Sequence, residues 1–382
     1  MTRRVSINPR VSAVGGSTIR ALHARRGQRS IDLGMGEPTL RPDVAHFEAA
    51  SRWVAQHGCR YSSNAGEPEL RAAIAEHYAY PALNRAENVC ITTGSQEAVY
   101  VAMKTLLDPA HDEVLLVEPA FPVYGKIAEI EGIPVRRVVL EPEDDFAFDA
   151  ERIIASIGPK TRMLVLCSPC NPTGRIIGTE SVRRIAGDLG RRSGPPVYVL
   201  HDEIYREQRY VDDLGAFGNV YPWTIAVNSL SKSNALTGLR LGWAIGPAEV
   251  MPAIVKMHGW TTSCASTFAQ RVAIEIFRTG ALPAQREWYA AQREAVVELA
   301  REARFDFVVP EGAFYLCLNV HAADSLAFCH DLIDEHDVIA VPGSVFAASM
   351  EGWIRTSFVS PLDQISEGYR RIASLAALVA PA

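Results

Sequence analysis

The 382-residue chain is predicted to be an α/β protein. Its large domain is expected to have three α/β/α layers around a mostly parallel seven-stranded sheet, with a smaller α+β domain beside it. Three observations predict this. Short β-rich runs alternate with helix-period stretches between residues 89 and 245. The pattern then turns strongly helical from about residue 248. Beyond residue 305, short strands and helices mix without that alternation.

Residues 1–30 are basic and weakly patterned, an arm rather than a domain. Seven strands are expected at 89–92, 113–117, 135–139, 163–167, 197–201, 224–228 and 242–245. Helical segments separate most of them, as parallel pairing requires. The seventh follows the sixth after a loop with no crossover helix, so it is expected to run antiparallel. A helix is expected over 284–303, with Pro283 suited to its first turn. Strands at 305–309 and 313–318, a helix near 325–335, strands at 338–341 and 353–358, and a terminal helix from about Leu362 complete the smaller unit. The expected division is 1–45 for the arm and part of the small domain, 46–270 for the large domain, and 271–382 for the rest of the small domain.

Charge excludes some functions. Lys and Arg number 38 against 44 Asp and Glu, a net −6 with interspersed signs. Such a chain has no electrostatic reason to bind nucleic acid or an anionic membrane. No apolar run reaches the ~18 residues that span a bilayer, and no apolar stretch follows Arg3 and Arg4 as a secretory signal would. Seven sparse cysteines read as reduced thiols, so a cytoplasmic location is expected.

Four clusters carry chemistry. In Asn228-Ser229-Leu230-Ser231-Lys232-Ser233-Asn234, a lysine follows a buried strand. Desolvation there lowers its pKa and leaves free amine for Schiff-base chemistry. Arg240 follows eight residues later and is suited to a phosphate. Taken alone, most such lysines are solvated surface cations. In Ser168-Pro169-Cys170-Asn171-Pro172-Thr173-Gly174, prolines restrict the backbone and hold Asn171 at the carboxyl edge of the sheet. Cys167 and Cys170 lack a second cysteine pair at zinc spacing, so no metal is expected. In 198–205, an apolar strand runs into His201, Asp202, Glu203 and Tyr205. A carboxylate there is costly unless paired, and Asp202 could pair with a protonated heterocyclic nitrogen or cap a helix. In Thr92-Thr93-Gly94-Ser95-Gln96-Glu97, a strand meets a helix start, whose free N–H groups suit a phosphate.

The ordered set resembles the class I/II aminotransferases, fold-type-I enzymes that use pyridoxal 5′-phosphate (PLP). The resemblance runs from Asp32-Leu33-Gly34-Met35-Gly36-Glu37-Pro38 through Tyr61 and the four clusters to Val341-Pro342-Gly343-Ser344-Val345-Phe346 and Trp353-Ile354-Arg355-Thr356-Ser357-Phe358. It implies that Lys232 forms the Schiff base with PLP. Asp202 would pair with the pyridine N–H, while Asn171 and Tyr205 would bond the ring hydroxyl oxygen. Gly94, Ser95, Gln96, Ser229, Ser231 and Arg240 would hold the phosphate. Tyr61 would reach the phosphate of a neighbouring subunit, making a homodimer with shared sites. Tyr124 would stack on the ring, although a buried core aromatic fits its setting as well. Arg355, with Gly36 and Asn171, would bind the substrate α-carboxylate.

The implied activity moves an amino group between an L-amino acid and a 2-oxo acid by a ping-pong mechanism. The alternative is another fold-type-I reaction: C–S lysis, β/γ-elimination or amino-acid cyclisation. Ala347 stands where the family usually has glycine, and Cys170 precedes Asn171 where smaller or polar residues are familiar. Both bear on substrate fit rather than cofactor binding.

Overall fold

Among the described residues thirteen strands build three sheets. They are β1 (Ile31–Asp32), β2 (Val89–Thr92), β3 (Glu113–Glu118), β4 (Val135–Val139), β5 (Thr161–Cys167), β6 (Tyr198–Asp202) and β7 (Thr224–Ser229). There follow β8 (Gly242–Ile245), β9 (Asp306–Val308), β10 (Tyr315–Asn319), β11 (Val338–Ile339), β12 (Val341–Pro342) and β13 (Trp353–Ser357). The computed structural model describes residues 7–280 and 285–379.

The large sheet has seven strands in the order β2-β8-β7-β6-β5-β3-β4. Its strands alternate faces with a period of two, as pleating dictates. Val114, Leu116, Met163 and Val165 join the core under helices Ser95–Leu106 and Val123–Glu131. Leu115, Val117, Leu164 and Leu166 join the opposite core with helices Ala150–Ser156 and Thr179–Arg191. A strand apolar on both faces belongs in the middle layer of three.

β8 runs antiparallel to both β2 and β7, as expected for the strand without a crossover helix. This reversal has a functional consequence. The carboxyl ends of β2, β5, β6 and β7 open on one edge of the sheet. Because β8 is reversed, its amino end lies at that same edge, with Gly242 opposite both Thr92 and Ser229. Arg240, just before β8, is thereby brought beside the loops after β2 and β7.

The smaller unit carries a four-stranded sheet, β12-β13-β10-β9, antiparallel throughout. The strand expected at 338–341 is divided in two. β11 pairs in parallel with β1 of the N-terminal segment, and β12 pairs with β13. The helix expected over 284–303 spans Arg286–Glu302; Pro283 and Ala284 lie outside the described residues. A division at 270/271 would split helix Thr267–Thr279, whose buried Val272, Ala273 and Ile276 pack with Leu70, Ile74 and Trp243 beside the large sheet. We propose that the division falls after Gly280, the left-handed C-cap of that helix. Among the described residues no helix is long and apolar enough to cross a membrane.

Candidate active site

Residues from four loops and one facing strand meet at the open edge. β7 ends at Ser229, whose hydroxyl oxygen accepts from the Ser231 amide at 3.1 Å and caps the turn Leu230–Ser233 that carries Lys232. Lys232 Nζ donates to the Gly36 carbonyl at 2.5 Å and lies 5.8 Å from the Phe314 ring. Burial pulls its pKa down to about 8, with Arg355 and Arg240 adding repulsion against the pull of Glu37 and Asp202. The buried Gln208 side chain donates to the Lys232 carbonyl at 2.9 Å and fixes the turn.

Asp202 ends β6 and is 6% exposed. It accepts from Tyr124 Oη at 2.7 Å and from the Ile204 amide at 3.1 Å. Burial still pushes its pKa upward, since these neutral donors compensate a lost hydration shell only in part. Among the described residues no cationic side chain pairs with it. Glu203, on the opposite face of the strand, belongs to a separate cluster with Tyr80, Arg206 and His201.

Arg355 occupies the middle of β13, an inner strand of the small sheet, and is 2% exposed. Its Nη1 donates to Asn171 Oδ1 at 2.9 Å and its Nη2 to the Gly34 carbonyl. The guanidinium lies over Tyr315 at 4.3 Å and Phe346 at 5.1 Å. Its Nε is buried without a partner, and no acidic side chain among the described residues pairs with it. Tyr205 Oη lies 2.8 Å from Tyr315 Oη, deeper in the same wall.

At the start of helix Ser95–Leu106, Gly94 is the N-cap at φ +84° and no side chain caps the amides. A Cβ on Gly94 would lie 2.5 Å from Arg240 Nη2, and one on Gly242 2.4 Å from the Ser95 nitrogen. Both glycines are thus required for guanidinium, helix terminus and strand to meet. Gln96 is exposed, so only its backbone is suited to this seat. Ser231 is buried.

Of the two expected tyrosines, one is exposed and one is buried. Tyr61 is 88% exposed, and among the described residues no hydrogen bond engages its side chain. Tyr124 is 1% exposed with its hydroxyl committed to Asp202, so its ring is a core element rather than an open stacking face. Half-buried Phe121 stands edge-on to it, 6.3 Å between centroids. Burial pushes the Cys170 thiol up to about 11 and the Cys167 thiol well above its ordinary value, which disfavours the reactive thiolate in both.

Residues 28–372 match the family described as "Aminotransferase class I and II". The chain is 32% identical to an aspartate aminotransferase of Pyrococcus horikoshii, covering 97% of each. It is also 32% identical to a probable N-acetyl-LL-diaminopimelate aminotransferase of Bacillus subtilis, over 96% of this chain and 94% of that one. The solved Thermus thermophilus aspartate aminotransferase with maleate superposes with a TM-score of 0.90 at 30% identity, covering 97% of this chain and 100% of that one.

The chain belongs to the class I and II aminotransferases. Enzymes of this family use PLP and pass an amino group between an amino acid and a 2-oxo acid in two half-reactions, a ping-pong sequence. The residues present fit that cofactor. A buried carboxylate without a cation, a lysine poised near pH 8, and an uncapped helix terminus beside an arginine complement a heterocyclic N–H, an aldehyde and a phosphate respectively. Sequence reasoning missed Gln208, Tyr315 and Phe121. Phe121 carried a signal, as the aromatic that precedes Tyr124 in Pro119-Ala120-Phe121-Pro122-Val123-Tyr124.

Proposed function

We propose that this aminotransferase works through Lys232, Asp202 and Arg355. The observation that carries the reading is a pair of buried opposite charges, Asp202 and Arg355, each without a charged partner among the described residues, both acting on an amine with a depressed pKa. Each is costly as it stands and suited to a missing counter-charge. PLP, when bound, supplies an electron sink for the pair left behind as the substrate Cα–H bond breaks.

The protein's own groups do the rest. Asp202, held by Tyr124 and the Ile204 amide, keeps negative charge at the pyridine nitrogen. Gly94–Gln96, Ser229, Ser231 and Arg240 hold the phosphate, while Asn171 and Tyr205 hold the ring hydroxyl oxygen. Phe121, rather than Tyr124, covers the ring. Arg355, held in place by the Gly34 carbonyl, binds the substrate α-carboxylate through its remaining N–H donors, with Asn171 and the Gly36 backbone beside it. Lys232 Nζ would then take the Cα proton and would deliver it to the carbon that carries the cofactor's aldehyde. The exposed Tyr61 reaches the site of a second copy, giving a homodimer, and the enzyme works in the cytoplasm. A matrix of amino donors and 2-oxo acids, beginning with L-aspartate and 2-oxoglutarate, tests the reading. Conversion of the cofactor to its amine form by an amino acid alone supports it. Steady release of ammonia without an amino acceptor would contradict it.

A further inference from the structure

The turn after β1 touches two cations of the site, Arg355 and Lys232. The Gly34 carbonyl accepts from Arg355, and the Gly36 carbonyl accepts from Lys232 at 2.5 Å. Between them, the Met35 carbonyl accepts from Ser357 Oγ at 2.9 Å. The Gly34 and Gly36 carbonyls therefore face the site, and the amides of Gly34 and Met35 need partners elsewhere. Asp32 supplies one: its Oδ1 accepts from the amides of Gly34 at 2.9 Å and Met35 at 3.1 Å. Its Oδ2 lies 2.6 Å from His23 Nδ1, at the end of helix Thr18–His23 in the N-terminal arm. The turn has little room to move inward. A Cβ on Gly36 would lie 2.0 Å from Tyr315 Oη, and one on Gly34 3.1 Å from Ile339 Cγ2.

We propose that Asp32 is a positioning residue for substrate-carboxylate binding and that His23 orients it. The inference rests on Arg355 being the carboxylate clamp. Asp32 draws the Gly34 and Met35 amides to one side, which aims the carbonyls at Arg355 and Lys232. The guanidinium is then pre-oriented before substrate arrives, and the binding cost falls accordingly. The arm thus acts on substrate binding through one hydrogen bond.

The test uses PLP-loaded enzyme titrated with 2-methylalanine, followed by cofactor absorbance. This probe carries the α-amino and α-carboxylate groups but no Cα hydrogen. Asp32→Ala should weaken its binding by about tenfold and His23→Gln by about threefold, at or below the loss of a single direct hydrogen bond to a charged group because both residues act through the turn. Asp32→Asn keeps an acceptor for the two amides and should retain near-native binding, and PLP affinity should be unchanged in all three. Native probe binding in Asp32→Ala, with Arg355→Lys weakened, would overturn the proposal while leaving the clamp reading intact. Native binding in Arg355→Lys would remove the clamp reading itself. An equal fall in PLP affinity would mark a general fold defect and also overturn the proposal. If Asp32→Ala does not fold, His23→Gln decides: native probe binding there refutes the role.

Discussion

The pKa of Lys232 can be tested by PLP uptake into the apoenzyme at different pH. Only the free amine attacks the PLP aldehyde, so the uptake rate follows the unprotonated fraction. With a pKa of about 8, roughly one Lys232 in ten is free at pH 7. An ordinary lysine near 10.4 would offer roughly one in 2,500, so the environment gains roughly 200-fold at that pH. The sign follows directly: raising pH removes the proton, so the rate rises about fivefold from pH 7 to 8 and flattens above pH 9. Stopped-flow absorbance gives the rate, and working above pH 7 keeps the phosphate a dianion. Burial is the leading cause of the depression and Arg355 the next, so Arg355→Met should move the profile to higher pH without restoring ordinary lysine behaviour. A rate still climbing tenfold per unit at pH 9, or a profile indifferent to Arg355→Met, would refute the reasoning.

Three further outcomes are expected. Asp202→Ala should slow Cα deprotonation by roughly 10²-fold or more, the usual scale for losing a preorganised charge, while the fold survives; rapid-mixing spectroscopy measures this step. Glu97→Ala should weaken PLP binding and lower the unfolding free energy by ~1–3 kcal/mol. That carboxylate accepts from the Thr93 amide at 2.5 Å, His258 Nδ1 at 2.9 Å and Thr262 Oγ1 at 3.0 Å, and so secures the helix terminus at the phosphate seat; equilibrium PLP titration and urea unfolding check both effects. Gly36→Ala should raise KM for both substrates and cost ~1–3 kcal/mol of overpacking against Tyr315, read by steady-state kinetics and thermal melting.

Most strands of the large sheet were legible because they are short, rich in apolar and β-branched residues, and followed by a helix-period run. The reversal of β8 was legible too, because residues 230–241 contain no crossover helix. The residues gathered at the open edge were legible from their positions at strand ends. What they touch was not. Arg355 and Asn171 lie 184 residues apart and meet only because β13 faces the loop after β5. Tyr124 and Phe121 lie three residues apart on one short stretch. Only the packing of helix Val123–Glu131 decides that Tyr124 turns its hydroxyl to Asp202 and Phe121 stays half-exposed. The role of the arm was not legible, because the contact between His23 and Asp32 depends on how the chain between them folds back.

The most direct test of the account is to load the protein with PLP, reduce it with borohydride and map the labelled peptide. The chain has five lysines, Lys104, Lys126, Lys160, Lys232 and Lys256, so the choice is sharp. The account predicts a single pyridoxyl group on Lys232. Label on any other lysine, or a Lys232→Ala protein that still takes up label and transaminates, would contradict it.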